Sequence, residues 1–158
     1  MKKEVKILVV EDNDGHASLI CKNLRRVGII NPIIEFKDGQ EVLDFLFGNK
    51  EQLDMENDVS YLLLLDLRMP RVDGMEVLRQ IKSDKELKKI SVIVISTTVD
   101  PSEIEKCHQL GCSNYITKPI VYEEFVGTIK KLGFFLTIVE VPTIKDKYMP
   151  LTELLEGQ

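Results

Sequence analysis

Short apolar runs alternate along the chain with segments whose apolar residues recur at helical spacing. Four of these runs stop abruptly at a polar or charged residue, and they span 6–10, 61–65, 92–95 and 115–117. Runs of this length, bounded by turn-forming residues, are typical of buried strands. A weaker run, 31–36, contains Pro32, which cannot donate a hydrogen bond to a central ladder. We therefore expect five strands, with the second near a sheet edge.

The segments between the runs predict five amphipathic helices. We expect the third helix over Gly74–Ser83, and the fourth begins most clearly, because Asp100 can cap it and Pro101 suits its first turn. Glu103 completes a capping-box pattern with Asp100. The inward residues of the other helices include Ala17, Ile20 and Leu24, then Val42, Leu43 and Leu46, and then Phe125, Ile129 and Leu132.

Strands that alternate with helices predict an α/β fold whose parallel sheet is covered on both faces. Five such units in this order resemble the flavodoxin-like doubly wound sheet, with five parallel strands. Right-handed crossovers would place every loop that follows a strand at one edge. We read the polar, acidic segment 49–60 as a surface loop before the third strand, with Asp54, Glu56 and Asp58 in solvent.

Composition narrows the class of protein without identifying it. The chain has 158 residues, a formal net charge of -5 and two histidines, which we expect to lie at or near the surface without a ligand role. Its acidity disfavours nucleic-acid binding, because phosphates are bound by basic surfaces. No segment predicts a membrane span or a secretion signal. Three cysteines fit reduced, buried thiols and a cytoplasmic location.

The residues that end the strands carry the candidate chemistry. Glu11 and Asp12 follow the first strand, and Asp66 follows the third. Two carboxylates about 5 Å apart repel by roughly 3 kcal/mol at an effective dielectric constant of about 20, so a cation is expected among them. Oxygen ligands alone favour Mg²⁺ or a similar hard ion. Ser96 and Lys118 end the next two strands and complete a site for a phosphoryl group.

Asp66 is the best candidate nucleophile, because carboxylates form acyl phosphates at metal-assisted sites. Lys118 would then contact the phosphoryl oxygens as a compact positive charge, and Ser96 would donate a hydrogen bond. The acids at the strand ends have the alternative interpretation of solvated loop residues. Their number and their order make the site the better hypothesis.

These residues, with their neighbours, resemble the receiver domain of two-component response regulators. The resemblance covers about 5–132 and is carried by five separated elements in order: Glu11-Asp12, Asp66 with Met69-Pro70, Asp73-Gly74, Ser96-Thr97 and Lys118-Pro119. It implies that a sensor histidine kinase is the partner and that Mg²⁺, or Mn²⁺, is the cofactor. It also implies that the protein is no enzyme beyond its own phosphotransfer and autodephosphorylation.

The resemblance assigns a role to each site residue. Asp66 would be the phosphoacceptor and Asp12 a direct metal ligand, while Glu11 would bind the metal directly or through water. The remaining implied roles are a metal-binding backbone carbonyl at Arg68, switch hydroxyls at Ser96 and Thr97, a phosphate contact at Lys118 and an aromatic switch at Tyr115. Arg68 and Thr98 flank the site, and we expect them to tune the lifetime of the phosphoryl group. The signal would leave through the fourth helix, fifth strand and fifth helix.

The loop before the third strand and the C-terminal tail indicate a subfamily and a division of the chain into two parts. The length of segment 49–60 and the apolar tail after Leu132 resemble single-domain regulators of cyanobacterial phytochromes and related hybrid kinases. We expect a receiver domain over 4–133 and a C-terminal extension over 134–158. The extension either packs on its own chain or forms a homodimer or partner interface.

Three other functions would each require or exclude particular residues at the site. A receiver-like scaffold that is never phosphorylated should lack the aspartate or the lysine, and both are present. A haloacid-dehalogenase-like phosphatase needs an acid two residues after its nucleophile, where this chain has Arg68. A flavodoxin-like cofactor binder would avoid Glu11 and Asp12 beside its phosphate.

Overall fold

The computed structural model describes residues 1–2, 4–48 and 58–145. Five strands form a parallel sheet in the order β2-β1-β4-β5-β6, and two short strands, β3 and β7, form a separate antiparallel pair. The strands are β1 (Lys6–Val10), β2 (Ile33–Phe36), β3 (Asp58–Val59), β4 (Tyr61–Leu65), β5 (Ser91–Ser96), β6 (Asn114–Thr117) and β7 (Ile144–Lys145).

Five helices connect the strands, and the predicted flavodoxin-like architecture is confirmed. The helices are α1 (Asp14–Arg26), α2 (Gly39–Phe47), α3 (Gly74–Ser83), α4 (Pro101–Leu110) and α5 (Tyr122–Leu136). β2 lies at an edge of the main sheet, as Pro32 indicated, and α3 has its predicted bounds. Among the described helices, none combines the length and apolar character that crossing a bilayer requires.

The alternating side chains of the strands build one core on each face of the sheet. In β4, Leu63 and Leu65 pack with residues of α2, α3 and α4. Leu62 and Leu64 point the other way and pack with residues of α1 and α5. Because the chain has helices on both faces, all five residues of β4 are buried. This double burial explains why the strand is a continuous apolar run rather than an alternating one.

Helix α4 begins as predicted, but its capping box is wrong. The Asp100 carboxylate accepts a hydrogen bond from the Ser102 amide at 3.0 Å. A capping box would have the Glu103 carboxylate accept from the Asp100 amide. That amide instead donates to the Thr98 hydroxyl at 3.2 Å, and the Glu103 carboxylate pairs with the Arg68 guanidinium at 3.0 Å. The Thr98 hydroxyl therefore takes the Asp100 amide, and the Arg68 guanidinium takes the Glu103 carboxylate.

The prediction of a continuous surface loop over 49–60 is wrong at its C-terminal end. Asp58 and Val59 form β3, which pairs with β7 in antiparallel register, and Val59 is buried. Residues 49–57, including Asp54 and Glu56, lie outside the described residues. The small sheet joins two segments more than 80 residues apart in sequence, as the Ser60–Thr143 hydroxyl contact at 3.3 Å also does.

The apolar residues of the described part of the C-terminal extension, 134–145, differ in their exposure. Helix α5 continues past Gly133, and Leu136 is fully buried on the protein's own core. Ile144 is likewise buried, in the core on the other face. Phe134 and Ile138 are 62% and 76% exposed. One part of the extension therefore packs on the chain itself, and another part presents an apolar surface to solvent.

Candidate functional site

The site is built at the C-terminal edge of the main sheet. The register of β1 and β4 pairs Val10 with Leu65, so the residues that follow lie side by side. The Asp66 amide donates to the Val10 carbonyl at 3.0 Å, which continues this ladder for one residue. Glu11 and Asp66 are thereby brought together from neighbouring strands. The position that strand ends predicted for both acids is confirmed by this register.

Three carboxylates converge at this edge. Single oxygens of Glu11, Asp12 and Asp66 all lie within 4.8 Å of one another. Glu11 and Asp66 are buried, whereas Asp12 is exposed to solvent and leaves the cluster accessible. The donors are negatively charged oxygens, which Mg²⁺ and Mn²⁺ prefer over softer ligands such as thiolates. The residues present therefore fit a hard divalent cation.

Burial and the repulsion between carboxylates both disfavour the ionised form of Glu11. The pKa of the Glu11 carboxyl is raised to about 7, chiefly by burial and also by the charge of Asp66. A hydrogen bond from Lys118 opposes this effect. Proximity to a second buried carboxylate and loss of water both disfavour the charged form. A bound cation would offset both costs.

Lys118 is the buried positive charge of the site. Its side chain is 4% exposed, and Nζ lies 2.7 Å from Glu11 Oε2 and 3.6 Å from Asp66 Oδ2. The Lys118 amide donates to the Ser96 carbonyl, which ties the end of β6 to the end of β5. The structure thus brings together the lysine and both buried acids, although the sequence separates Lys118 from Glu11 by 107 positions.

His16 belongs to this group of residues, and the sequence analysis missed it. Its Nδ1 lies 3.2 Å from Lys118 Nζ and 4.0 Å from Glu11 Oε1, and its ring packs edge-on against Phe125. Burial, and then the positive charge of Lys118, lower the pKa of His16. The available signal was its place in the first turn of α1, the helix that begins at the site after the Asn13 cap.

Ser96, Thr98 and Tyr115 form a connected path beside the cluster. The fully buried Ser96 hydroxyl accepts a hydrogen bond from the Thr98 amide at 3.3 Å. The Tyr115 hydroxyl donates to the Thr98 carbonyl at 2.9 Å. Thr98 therefore links the two residues expected to act as switches. Burial raises the pKa of the Tyr115 phenol, and the Ser96 hydroxyl opposes that shift.

The two remaining predicted residues lie at the rim. The Arg68 amide donates to Asp66 Oδ1 at 3.3 Å, so its backbone adjoins the acid cluster. Its guanidinium is largely exposed and pairs with Glu103 at the start of α4. Thr97 is exposed. Arg68 thus joins the loop after β4 to α4 across the mouth of the site.

Comparison with known sequences agrees with this geometry. The family described as the response regulator receiver domain matches residues 7–130. The chain belongs to this family. Receiver domains are signalling components of two-component systems rather than conventional enzymes, so the chain is a regulator of the two-component type. The segment matched contains every site residue described above.

Three relatives place the chain within the family. A receiver domain from Rhodospirillum rubrum is 39% identical, with a TM-score of 0.83, and covers 89% of this chain and 99% of its own. Response regulator Rcp1 from Synechocystis is 31% identical over 86% of this chain and 92% of its own length. Its Mn²⁺-bound structure covers 87% of this chain and 98% of its own, with a TM-score of 0.77.

The third relative is the phosphorylated cyanobacterial phytochrome response regulator RcpA. It is 33% identical, with a TM-score of 0.75, and covers 87% of this chain and 97% of its own. The resemblance to cyanobacterial phytochrome regulators suggested by the sequence is therefore confirmed.

Proposed function

We propose that this receiver takes a phosphoryl group from the phosphohistidine of a sensor kinase onto Asp66. The observation that carries the proposal is the position of Asp66, which belongs to the acid cluster and lies 3.6 Å from the ammonium group of Lys118. In the transfer, a carboxylate oxygen of Asp66 forms a bond to phosphorus while the nitrogen–phosphorus bond of the donor breaks. The departing imidazole takes up a proton.

The surrounding residues would stabilise the negative charge of the phosphoryl group in three ways. Glu11, Asp12, Asp66 and the carbonyl of Arg68 would hold Mg²⁺ or Mn²⁺, which neutralises phosphoryl charge when bound. Lys118 offers a fixed positive charge 3.6 Å from the acceptor carboxylate, and burial strengthens its interaction. Ser96 and Thr97 end β5 and begin the loop beside Asp66, where a hydroxyl can donate to a phosphoryl oxygen.

The output runs from Ser96 to Tyr115. If the Ser96 hydroxyl turns to the phosphoryl group, its hydrogen bond with the Thr98 amide breaks. Thr98 then moves, and with it the carbonyl oxygen that accepts the hydrogen bond from Tyr115. Tyr115 is then released from Thr98 and turns inward. The face formed by α4, β6 and α5 changes shape, which is how a partner would detect phosphorylation.

We expect Arg68 and Thr98 to set the lifetime of the phosphoryl group. Replacing both by alanine removes the Arg68–Glu103 bridge and the hydrogen bond that the Thr98 hydroxyl accepts from the Asp100 amide. Loss of contacts worth about 1.4 kcal/mol speeds decay about tenfold. Decay is measured by intact mass after the phosphoryl donor is removed. The control is Arg79→Ala with Thr128→Ala, on α3 and α5, and unchanged decay in the Arg68 and Thr98 variant contradicts the assignment.

The partner is proposed to be a phytochrome-like or hybrid sensor histidine kinase in the cytoplasm. The support is the similarity to Rcp1 and to RcpA, a phytochrome response regulator by description. We also propose that the extension 134–158 follows a receiver domain of 4–133 and forms a homodimer through the C-terminal half. The exposed Phe134, Phe135 and Ile138 support an interface there.

The dimer proposal has a direct test. We expect the double variant Phe134→Glu with Ile138→Glu to elute as a monomer and wild type to elute as a dimer, because buried apolar contacts would be replaced by like charges. Size-exclusion chromatography with light scattering gives the mass of each. Lys85→Glu, an exposed position after α3, controls for added negative charge. A monomeric wild type, or a dimer that survives the double substitution, contradicts the proposal.

The function itself is tested by intact mass after incubation with acetyl phosphate. Wild type is expected to gain one phosphoryl group when Mg²⁺ is present and none when EDTA replaces it. A second incubation uses a phosphorylated histidine-kinase domain as donor. If neither donor modifies the protein, the function as an unphosphorylated scaffold takes precedence.

A further inference from the structure

The buried ammonium group of Lys118 has three N–H donors and needs an acceptor for each. One acceptor is the Glu11 carboxylate, at 2.7 Å. The second is Nδ1 of His16, at 3.2 Å. The Asp66 carboxylate forms an ion pair with the same ammonium group at 3.6 Å, beyond hydrogen-bond distance. The ammonium group has no lone pair, so in this contact Lys118 donates and the imidazole nitrogen accepts.

The three partners of the ammonium group differ in what else they bind. Glu11 and Asp66 both belong to the acid cluster that would hold the cation, and Asp66 is the proposed phosphoacceptor. Each of these carboxylates therefore exchanges its partners during phosphotransfer. His16 stands outside the cluster. It is the acceptor that stays with Lys118 while the charges around the lysine are redistributed.

The imidazole ring is held in place by packing. Its edge meets the ring of Phe125, with centroids 5.3 Å apart at an interplanar angle of 67°. Phe125 is 3% exposed and belongs to the core between α1 and α5. The same aromatic ring lies 5.9 Å from Lys118 Nζ. Phe125 thus fixes the imidazole and the lysine relative to each other.

We propose that His16 is a positioning residue that accepts a hydrogen bond from Lys118 at Nδ1 and keeps the ammonium group within reach of Asp66. This inference rests on the proposed phosphotransfer to Asp66. Without His16, the ammonium group would move further toward Glu11, to which it already donates at 2.7 Å, and away from Asp66. The proton of the neutral imidazole is then on Nε2, since Nδ1 is the acceptor.

Two substitutions separate this role from simple packing. His16→Leu fills the space but offers no acceptor, and His16→Asn places an amide oxygen near the position of Nδ1. We expect His16→Leu to be phosphorylated by acetyl phosphate about tenfold more slowly than wild type, as for a lost bond to a charged group. His16→Asn is expected to recover most of that rate. His108→Asn, an exposed position on α4, is the matched control.

The phosphorylation rate and the metal affinity of the variants together test the proposal. An unchanged rate in His16→Leu overturns the proposal, and so does an equally slow His16→Asn, because recovery requires the acceptor. Mn²⁺ affinity, followed by electron paramagnetic resonance, should stay within about threefold of wild type in both His16→Leu and His16→Asn. A fall in the Mn²⁺ affinity of His16→Leu that accounts for its whole rate loss would overturn the proposal and make His16 a support of the acid cluster instead.

A second measurement does not depend on phosphorylation. The chain has two histidines, so ¹⁵N NMR at a pH where both are neutral resolves His16 and His108. We expect the Nε2–H tautomer at His16, and an Nδ1 resonance that shifts in Lys118→Met at His16 and not at His108. An Nδ1–H tautomer, or an unshifted resonance, overturns the contact. If wild type gains no phosphoryl group, the proposed function and the positioning role fail, whereas this spectrum decides the contact separately.

Discussion

Asp66→Asn is expected to abolish phosphorylation completely. An amide oxygen has nearly the shape of the carboxylate oxygen it replaces, but it cannot form the acyl phosphate. The substitution also removes one of the three acids that would hold the cation. Intact mass after incubation with acetyl phosphate and Mg²⁺ should show one phosphoryl group on wild type and none on the variant.

The folded state should survive this substitution. Burial and the charge of Asp66 together disfavour ionised Glu11, so removing the Asp66 charge relieves the repulsion. The Lys118–Glu11 ion pair at 2.7 Å is kept. We therefore expect the variant to be at least as stable as wild type in urea, and a loss of phosphorylation would then report chemistry rather than unfolding.

Asp14→Asn is the matched control. Asp14 is an exposed carboxylate in the first turn of α1, close to the site along the chain but outside the acid cluster. The Asp14→Asn variant should gain one phosphoryl group, as wild type does. A phosphoryl group on Asp66→Asn would mean that another side chain is the acceptor, and equal loss in both variants would mean that the effect is not specific to Asp66.

The strand ends could be predicted because their cause is local. Each strand is a short apolar run, and parallel strands with helical crossovers carry their C-terminal ends to one edge. The positions of Glu11, Asp66 and Lys118 therefore followed from the order of runs alone. Their separation in sequence, 107 positions from Glu11 to Lys118, did not matter once the topology was known.

The missed features depend on contacts that no local pattern encodes. His16 reaches Lys118 across 102 positions, and its ring orientation comes from packing on Phe125. β3 and β7 have two residues each, too few for a periodic signal. Glu103 has the spacing of a capping box, but the direction of its side chain is decided by Arg68 from another loop.

Gly74→Ala is expected to destabilise the fold and to displace the phosphoacceptor. A Cβ at Gly74 would lie 2.6 Å from Leu67 Cα and still closer to the Asp66 carbonyl oxygen, so backbone rather than a flexible side chain must move. The Gly74 amide donates to the Leu67 carbonyl at 3.0 Å, which holds α3 tightly against this loop. Overpacking of this kind costs about 3 kcal/mol.

The loss of function should exceed the loss of stability. Asp66 must stay in line with Lys118 and the metal ligands, and a shift of about 1 Å at a reacting group can cost about a hundredfold in rate. We expect a lower urea midpoint and, in the fraction that is folded, slow phosphorylation by acetyl phosphate. Tight packing at Gly74 would thus serve the position of Asp66 as well as the stability of α3.

Gly127→Ala adds the same methyl group in the middle of α5, where nothing beyond the local helix backbone and the adjacent residues lies within 4 Å. Replacing a glycine inside a helix should raise the free energy of unfolding by about 0.5–1 kcal/mol and leave phosphorylation unchanged. The contrast between the two variants isolates the close approach of α3 to Asp66, because both lose the same backbone freedom. If Gly74→Ala matches Gly127→Ala in stability and rate, the loop has room for a side chain, and the glycine does not fix the phosphoacceptor.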